Sequence, residues 1–318
     1  MSDLPRISFA IPAYHRPALL AEAVASINAL AGLRSAEIVV CDDGRLVRVG
    51  GAADSQPSTA AIPGDLQAAL ETSAVPVRYV ANEPPLGAVG NWNRCLREAR
   101  GEWVTVLHED DVLYPGYFKL VAPRLREAVA AVAVRTRQGP SPGAPPPSAS
   151  AATPKAWAYP PAYFLKSSPT PFPGVMLRRS AALALGGFDE RWGPLADYEF
   201  WYRLACAGRV EVVREVGAFY RVAPGQWTER AWVRMLRLAH LLRLRIAREQ
   251  FRQRPELGRW LARFFTYRNA LSYAARFPER PAGLDRALAL GRIPGHQIPA
   301  GWVWQWLKLS ARPAAPAP

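Results

Sequence analysis

Three neighbouring acidic residues, Glu109, Asp110 and Asp111, follow a short apolar segment that is typical of a buried strand. Their carboxylates would repel one another, and a divalent cation such as Mg²⁺ or Mn²⁺ would relieve that repulsion. These cations take one or two carboxylates from a protein and complete their coordination with substrate phosphates. Acidic residues also follow strands in ordinary solvated turns, so the triplet by itself leaves a metal site and a turn as alternatives.

Two further acidic positions could do chemistry. Asp42 and Asp43 end another apolar strand, where a carboxylate can accept hydrogen bonds from a base or a ribose. Because Gly44 follows them, a type I turn is the alternative there. Asp197 lies at the start of the helical sequence ADYEFWYRL. It is either a first-turn acid that stabilises the helix electrostatically or a general base that faces the metal site.

The elements that must position these acids alternate between strands and helices. Short apolar, β-branched runs predict strands, and apolar residues at helical spacing predict helices. In chain order these are strand 7–11, helix 17–30, strand 37–41, helix 64–71, strand 77–81, helix 88–99 and strand 103–107. The alternation predicts an α/β fold with a parallel sheet between helices. In such a sheet ligands bind outside the carboxyl ends of the strands, which is where the acids lie.

Other parts of the chain are less regular. The segment 45–75 is rich in Gly, Ala, Ser and Pro and predicts an elaborated connection. Residues 138–154 are of low complexity and bury too little apolar surface to order themselves, so we expect a mobile loop over about 136–156. Beyond it the pattern predicts strands at 173–178, 210–213 and 217–221, helices at 180–185 and 197–207, and a long Arg-rich helix at 229–254.

Most of the positive charge lies in the C-terminal part of the chain. The formal net charge is +14. Residues 228–318 hold 17 Lys/Arg and 5 Asp/Glu, whereas residues 1–227 are nearly neutral, with 23 and 21. A nucleic-acid-binding protein would not confine its basic residues in this way, so we expect no nucleic-acid partner. The same region carries many aromatic residues: Trp232, Phe251, Trp260, Phe264, Phe265, Trp302, Trp304 and Trp306.

Several interpretations of this basic, aromatic-rich region stay open. It is a helical cap packed on the rest of the chain, a peripheral membrane surface, or a surface for acidic acceptors or for dimerisation. The sequence has no run of about 18 apolar residues and no signal-peptide pattern. Its cysteines, Cys41, Cys95 and Cys206, are spaced neither as a disulfide framework nor as a zinc cluster. We therefore expect a cytoplasmic protein, with peripheral contact to the inner face of the membrane as an option.

Four segments in order resemble family 2 glycosyltransferases. ISFAIPAYHRP at 7–17 is similar to that family's opening "VIPTYNRP", and EIVVCDDG at 37–44 is similar to its "EIIVVDDGS". Residues 86–118 resemble the helix, strand and DxD region of the family. Residues 172–210 resemble its acceptor side with the ED motif, and the resemblance as a whole covers about residues 5–222.

The resemblance implies a GT-A Rossmann-like α/β fold. A mostly parallel central sheet would be flanked by helices, with a C-terminal helical appendage. The chain would divide into a catalytic domain at 1–222 and a helical region at 223–318. Within the catalytic domain, about 1–111 would bind the nucleotide sugar and about 112–222 would bind the acceptor.

The resemblance also implies a role for each matching residue. Asp197 matches the second acid of the ED motif and would be the catalytic base. Glu109 and Asp111 occupy the outer positions of the DxD motif and would bind Mn²⁺ or Mg²⁺. The residues that would hold the nucleotide sugar are Pro12, Ala13, Tyr14, Asp42, Asp43, Asn93, Glu109, Asp110 and Arg221.

Some positions depart from the family's pattern. Trp92 stands where an Arg is common, Ala196 where the ED motif has its first acid, and Ala223 where a His is often found. The QxxRW signature of processive members is absent, so we expect one sugar to be added per encounter. Gly187 lies in a GGFD segment, for which we favour a tight structural turn.

The function implied by the resemblance is an inverting glycosyl transfer. One sugar would move from a UDP-, TDP- or GDP-linked donor to a hydroxyl of a glycan, a lipid-linked acceptor or another acceptor. The transfer would be one metal-assisted displacement with an Asp base, in cell-surface polysaccharide biosynthesis. A degenerate GT-A-like carbohydrate-binding module and a nucleotidyltransferase are the alternatives, and the oligomeric state stays open.

Overall fold

The computed structural model describes residues 7–44, 64–146, 154–223, 231–275 and 297–310, together with positions 285, 288, 289 and 295. The predicted connection before residue 64 and the centre of the predicted mobile loop lie outside the described residues. The chain divides into two compact units. The first comprises Met1–Ala158, Pro169–Glu190 and Arg203–Ala223, and the second comprises Tyr159–Ser168, Arg191–Tyr202 and Pro224–Pro318. The predicted domain boundary at residue 222 stays a prediction.

The N-terminal half of the first unit is a parallel sheet in the order β3-β2-β1-β4. Its strands are β1 (Ile7–Ala13), β2 (Ala36–Asp42), β3 (Val77–Ala81) and β4 (Trp103–Val106). β1 and β4 are buried along their whole length, as expected of parallel strands covered by helices. The four predicted strands are confirmed to within two residues.

The C-terminal half of the sheet is mixed rather than parallel. Its strands are β5 (Val112–Leu113), β6 (Val129–Gly139), β7 (Ala156–Ala158), β8 (Val175–Arg178) and β9 (Arg209–Arg221). β8 pairs antiparallel with β4 and β6, and β9 pairs antiparallel with β5 and β7 but parallel with β6. The expected α/β fold with a central sheet flanked by helices is confirmed, but the sheet, predicted to be mostly parallel, is parallel largely in its N-terminal half.

Two expectations for this half need correction. The strands predicted at 210–213 and 217–221 form one strand, β9, which continues across the interruption because irregularities in its pairing with β6 absorb the break. The predicted mobile loop overlaps β6 through Gly139 and β7 from Ala156. β6 was not predicted, although its apolar run VAAVAV is buried.

Helices of the first unit cover the sheet. They are α1 (Pro17–Asn28), α2 (Gly64–Glu71), α3 (Gly87–Glu98), α4 (Tyr117–Val121) and α5 (Arg179–Ala184). α1 begins with Pro17, which is favourable because the first helical N–H has no intrahelical acceptor. Its apolar face, which includes Leu20, Val24 and Ile27, packs in the main core with Phe9 and Ile38. The predictions for α1, α2 and α3 are confirmed.

The second unit is helical in its described part. α6 (Ala196–Ala207) begins in it, and α7 (Trp232–Gln250), α8 (Pro255–Ala274) and α9 (Ala300–Ser310) follow. α7 buries Leu236, Leu242 and Ile246, and the helix is shorter than the predicted 229–254. Among the described helices, none combines the length and apolar character needed to cross a bilayer.

Candidate active site

The carboxyl ends of β1, β2 and β4 bring the predicted acidic segments to one edge of the sheet. Ala13 at the end of β1 lies opposite Asp42 at the end of β2. The loop after β1 touches both neighbouring segments. A Cβ atom on Gly44 would lie 2.7 Å from the backbone nitrogen of His15, and the backbone nitrogen of Tyr14 donates to Glu109 over 2.8 Å.

Glu109 ties the β1 loop to the acidic triplet. Its Oε2 accepts the hydrogen bond from Tyr14, and its Oε1 accepts a hydrogen bond of 2.7 Å from Nε of Arg16. The residue is 1% exposed, and burial raises the pKa of its carboxyl group although both donors act to lower it. Nη1 of Arg16 reaches Oδ2 of Asp110 over 2.6 Å, so one guanidinium joins two of the three acids.

Asp111 has one oxygen that is satisfied and one that is not. Its Oδ1 accepts a hydrogen bond of 2.9 Å from the backbone nitrogen of Arg221, at the end of β9. Its Oδ2 is buried and has no hydrogen-bond partner among the described residues. Burial, reinforced by the nearby charge of Asp110, raises the pKa of Asp111 well above its usual range. A cation at this oxygen would offset both effects.

His108 supplies a second buried atom of this kind. Its ring stacks on Trp92 at 5.3 Å between centroids and lies 4.4 Å from the ring of Phe172. Burial lowers the pKa of His108 to about 4, so the imidazole is neutral near pH 7. Its Nε2 is buried without a hydrogen-bond partner in the described part of the chain. A neutral imidazole held between aromatic rings is suited to act as a metal ligand.

His108, Asp110 and Asp111 each offer a ligand atom, and these atoms lie within 4.8 Å of one another. Two of these three residues carry a buried atom without a hydrogen-bond partner among the residues that the structure describes, so the donor set fits a divalent cation. Glu109, which the DxD resemblance implies as a ligand, is not a member of this group, and its two oxygens accept hydrogen bonds from Tyr14 and Arg16 of the β1 loop. The structure thus adds His108 to the candidate ligands beside Asp111, and the ligand role of Glu109 stays a prediction.

Arg221, predicted to help hold the nucleotide sugar, is itself held by several neighbours. Its Nε donates to the carbonyl oxygen of Asp110 over 2.8 Å, and its Nη2 forms an ion pair of 2.6 Å with Glu22. Its Nη1 donates to the carbonyl oxygen of Pro140 over 3.0 Å. In this arrangement Arg221 positions the turn that carries the acids, and its contact with a phosphate stays a prediction.

The two acids after β2 have different surroundings. Asp42 is fully buried, and its carboxylate accepts hydrogen bonds from the backbone nitrogen of Gly44 and from the hydroxyl of Tyr79. Asp43 accepts hydrogen bonds from the backbone nitrogens of Leu86 and Gly87, at 2.6 and 2.8 Å. Asp43 therefore caps the start of α3, and its predicted contact with the nucleotide sugar stays a prediction.

Asn93 of α3 locks a turn. Its Nδ2 donates to the carbonyl oxygen of Phe188 and its Oδ1 accepts from the nitrogen of the same residue, both over 2.8 Å. Gly187 has a φ of +72°, and a Cβ atom there would overlap Oδ1 of Asn93. These contacts favour the structural interpretation of the GGFD segment, and the implied nucleotide contact of Asn93 stays a prediction.

The predicted base-binding residues lie at the end of β1 and just beyond it. Pro12 and Ala13 are buried in the strand, whereas Tyr14 is 57% exposed and its ring lies 4.2 Å from that of His15. His15 has a φ of +59°, which is uncommon for a residue other than glycine. The exposed ring of Tyr14 is the part of this segment that is available to stack on a base.

Asp197 lies in the first turn of α6, as predicted, and belongs to the second unit. Its Oδ1 accepts a hydrogen bond of 2.7 Å from the backbone nitrogen of Tyr198, which supports the first-turn interpretation. Burial raises its pKa from 3.8 to about 6, a value that suits a general base near neutral pH. The two interpretations are compatible, and the catalytic role of Asp197 stays a prediction.

Sequence reasoning missed Arg16 and His108 as site residues. His108 directly follows the predicted strand 103–107, and Arg16 lies in the loop between the predicted strand 7–11 and the helix that Pro17 begins, so both lie near the sheet edge that holds the acids. Trp92 had been noted only as a departure from the family's Arg. Its stacking on His108 gives the substitution a structural role.

Comparison with known proteins identifies the family. The model named "Glycosyl transferase family 2" matches residues 8–182, more than half of the chain. The chain belongs to glycosyl transferase family 2. A curated relative, the GalNAc(5)-diNAcBac-PP-undecaprenol beta-1,3-glucosyltransferase of Campylobacter jejuni, is 29% identical over 130 residues, which cover 41% of this chain and 37% of that protein. The chain thus spans little more than a third of the curated relatives that it matches.

Solved structures confirm the GT-A fold of this family 2 member. S. aureus TarS 1–349 in complex with UDP-GlcNAc is similar with a TM-score of 0.57 and 16% identity, over 88% of this chain and 75% of that one. The Pyrobaculum calidifontis mannosyltransferase PcManGT, in complex with GDP-Man and Mn²⁺, is similar with a TM-score of 0.51 and 18% identity. That match covers 98% of this chain and 87% of the mannosyltransferase. Identities this low show the shared fold alone.

Proposed function

We propose that this family 2 protein transfers one sugar from a nucleoside-diphosphate sugar to a hydroxyl group of an acceptor, with inversion at the anomeric carbon. One observation carries the proposal. His108 and Asp111 each carry a buried atom without a hydrogen-bond partner among the described residues, and both belong to the group of possible metal ligands at the carboxyl edge of a parallel sheet. That edge is where α/β folds bind nucleotides.

The proposed donor is a UDP-, GDP- or TDP-sugar. Two structural neighbours are complexes with UDP-GlcNAc and with GDP-Man, which supports a diphosphate donor without selecting the base or the sugar. In this chain the exposed ring of Tyr14 would stack on the base. Asp42, whose carboxylate lies at the end of the neighbouring strand, would accept a hydrogen bond from the base or the ribose.

His108, Asp110 and Asp111 would hold Mn²⁺ or Mg²⁺. The bound cation would neutralise charge on the diphosphate, which makes the nucleotide a better leaving group. Nε2 of His108 and Oδ2 of Asp111 would contribute lone pairs without breaking a hydrogen bond to any described residue. Glu109 would keep the β1 loop in place beside them, and Arg221 would fix Asp111 through its backbone nitrogen.

Asp197 would remove the proton of the acceptor hydroxyl. A hydroxyl is a weak nucleophile at neutral pH, and proton transfer to a positioned carboxylate raises its reactivity. A pKa of about 6 leaves Asp197 ionised near pH 7 while keeping it more basic than an ordinary Asp. A single displacement of this kind needs no covalent intermediate, and it inverts the anomeric centre.

The acceptor that we propose is a lipid-linked glycan presented at the inner face of a membrane. Trp302 is 74% exposed and Trp306 is 41% exposed, and they lie one helical turn apart on α9. Between them, Val303 faces the protein and is 6% exposed. Tryptophan side chains favour the membrane interface, and the net positive charge of region 228–318 suits anionic headgroups. The curated Campylobacter relative, whose printed name contains undecaprenol, is consistent with this proposal.

A thermal-shift panel tests the donor site. The protein is heated with UDP, GDP, TDP or CMP, each with and without Mn²⁺, as wild type, Asp111→Asn and Glu102→Gln. Glu102 is a control acid that precedes β4, whereas Asp111 follows it. A bound ligand raises apparent stability by mass action, so we expect a Mn²⁺-dependent rise with one diphosphate that Asp111→Asn alone abolishes. No rise with any nucleotide in the wild type would refute the donor site.

A further inference from the structure

Arg16 is placed so that its side chain serves the site rather than the helix that it precedes. It occupies the N-cap position of α1 and makes no side-chain capping bond. Its Nε and Nη1 instead reach Glu109 and Asp110, at 2.7 and 2.6 Å. The Arg16 side chain is 46% exposed, whereas the two acidic side chains are 1% and 10% exposed. A half-exposed cation therefore lies over two buried anions.

The two carboxylates that Arg16 joins are not equivalent. Glu109 also accepts the backbone hydrogen bond from Tyr14 and lies outside the group of candidate metal ligands. Asp110 belongs to that group, together with His108 and Asp111. One arm of the guanidinium is thus bound to a structural anchor, and the other is bound to an oxygen of a carboxylate that a cation would use.

We propose that Arg16 is a positioning residue that competes with the metal for Asp110 and makes tight metal binding depend on the diphosphate. This inference rests on the proposed metal-dependent function. A single positive charge beside Asp110 opposes the approach of a divalent cation. The diphosphate of the donor reverses this balance, because its negative charge attracts the guanidinium and releases Asp110. Metal and nucleotide then strengthen each other's binding reciprocally, as linkage requires.

The surroundings of Arg16 allow its side chain to move while the backbone of the loop stays in place. The hydrogen bond from Tyr14 to Glu109 and the close packing of His15 on Gly44 both hold the backbone of the loop. The guanidinium faces solvent on its exposed side, so Nη1 can leave Asp110 while Nε stays on Glu109. Guanidinium groups bind phosphate oxygens through paired hydrogen bonds, which suits this second position.

The test is a Mn²⁺ titration followed by the electron paramagnetic resonance signal of free Mn²⁺, with and without UDP. It compares wild type, Arg16→Gln and Arg126→Gln. Arg126 is a matched control, because it is 54% exposed and pairs over 2.5 Å with Glu211, which is 1% exposed. Glu211 lies near the start of β9, ten residues before Arg221, or about 30 Å along an extended strand.

We expect Arg16→Gln to bind Mn²⁺ alone about tenfold more tightly than wild type, a coupling of ordinary size. The enhancement of Mn²⁺ binding by UDP should shrink by a similar factor, and Arg126→Gln should match wild type. If Arg16 only held the loop in place, Arg16→Gln would weaken Mn²⁺ binding instead, because a loosened site binds the metal less well. Unchanged or weaker Mn²⁺ binding by Arg16→Gln would therefore overturn the proposal.

A further variant and a comparison of outcomes distinguish failure of the role proposed for Arg16 from failure of the proposed metal site. Arg16→Lys keeps the charge but cannot span both carboxylates with a planar fork, so its Mn²⁺ affinity should fall between those of wild type and Arg16→Gln. If circular dichroism shows that Arg16→Gln does not fold, Arg16→Lys replaces it in the test. A Mn²⁺ affinity of Arg16→Lys equal to that of wild type would then refute the competition between Arg16 and the metal. If no protein binds Mn²⁺ with or without UDP, the proposed metal site itself is refuted. If wild type and Arg16→Gln bind Mn²⁺ equally, only the role of Arg16 is refuted.

Discussion

Replacing Asp111 by Asn should make the metal-free protein more stable while it abolishes metal binding. In the wild type, Oδ2 of Asp111 is buried without a hydrogen-bond partner among the described residues, and the charge of Asp110 repels it. The amide of Asn has the same shape, and its oxygen can still accept the 2.9 Å hydrogen bond from Arg221. The substitution removes the charge of Asp111, and the NH₂ group of the new Asn becomes a hydrogen-bond donor beside the acceptor oxygens of Asp110.

Asp111→Asn should raise the free energy of unfolding by about 1–3 kcal/mol, which is the usual cost of leaving a buried polar group unsatisfied. For a domain of roughly 150–250 residues, each kcal/mol moves Tm by about 2–4 °C. Asp43→Asn is the matched control, because Asp43 is also buried but accepts hydrogen bonds from Leu86, Gly87 and Asn82. The amide introduced by Asp43→Asn turns its NH₂ group toward a hydrogen-bond donor, so this variant should lower the free energy of unfolding by a similar amount.

The assay is thermal unfolding in EDTA, followed by the same measurement with Mn²⁺ and the nucleoside diphosphate that binds. Asp111→Asn should unfold at a higher temperature than wild type in EDTA and gain nothing from the ligands. Asp43→Asn should unfold at a lower temperature. If Asp111→Asn is as destabilising as Asp43→Asn, the unsatisfied oxygen is not a feature of the site, and the argument for a cation there fails.

Three other predictions concern the base, the GGFD turn and the membrane surface. Asp197→Asn should lower kcat by about 10²–10⁴-fold with little change in donor binding. The wild-type rate should fall as pH decreases through about 6, because protonation of Asp197 removes the base, and a rate independent of pH from 5 to 7 would count against it. Gly187→Ala should lower the free energy of unfolding in urea more than Gly186→Ala, since both have positive φ but only Gly187 meets a side chain of α3. Alanine at both exposed tryptophans of α9 should reduce co-sedimentation with vesicles that contain phosphatidylglycerol, and unchanged binding would refute that surface.

Much of the fold was predictable because its N-terminal half obeys local rules. β1 to β4 are short apolar runs separated by helices with periodic apolar faces, and each was placed within two residues. The C-terminal half was less predictable because its pairing is decided by long-range contacts. β6 was missed and β9 was divided, since neither periodicity nor turn residues reveal a strand that continues through an irregular register.

The edge of the sheet that holds the site was predictable, but the roles of individual side chains were not. The sequence shows that acids follow the strands, and it does not show which oxygen is already bonded. Glu109 fits a metal motif by position, yet its oxygens bind Tyr14 and Arg16. His108 gains its importance only from the aromatic rings that surround it and from the lack of a partner for its Nε2 in the described chain.

The most direct test of the central claim is donor turnover. Purified protein is incubated with UDP-, GDP- and TDP-sugars and Mn²⁺, with water as the acceptor of the sugar, and hydrolytic release of the nucleoside diphosphate is measured for wild type, Asp111→Asn and Asp197→Asn, with EDTA as the metal-free control. The account predicts that one donor class is consumed, that EDTA and Asp111→Asn each abolish the release, and that Asp197→Asn lowers it by about 10²–10⁴-fold while still binding the donor. Binding of a nucleotide sugar with no turnover in the wild type would contradict the account and favour a carbohydrate-binding module. Turnover that survives both EDTA and Asp111→Asn would contradict the proposed metal site.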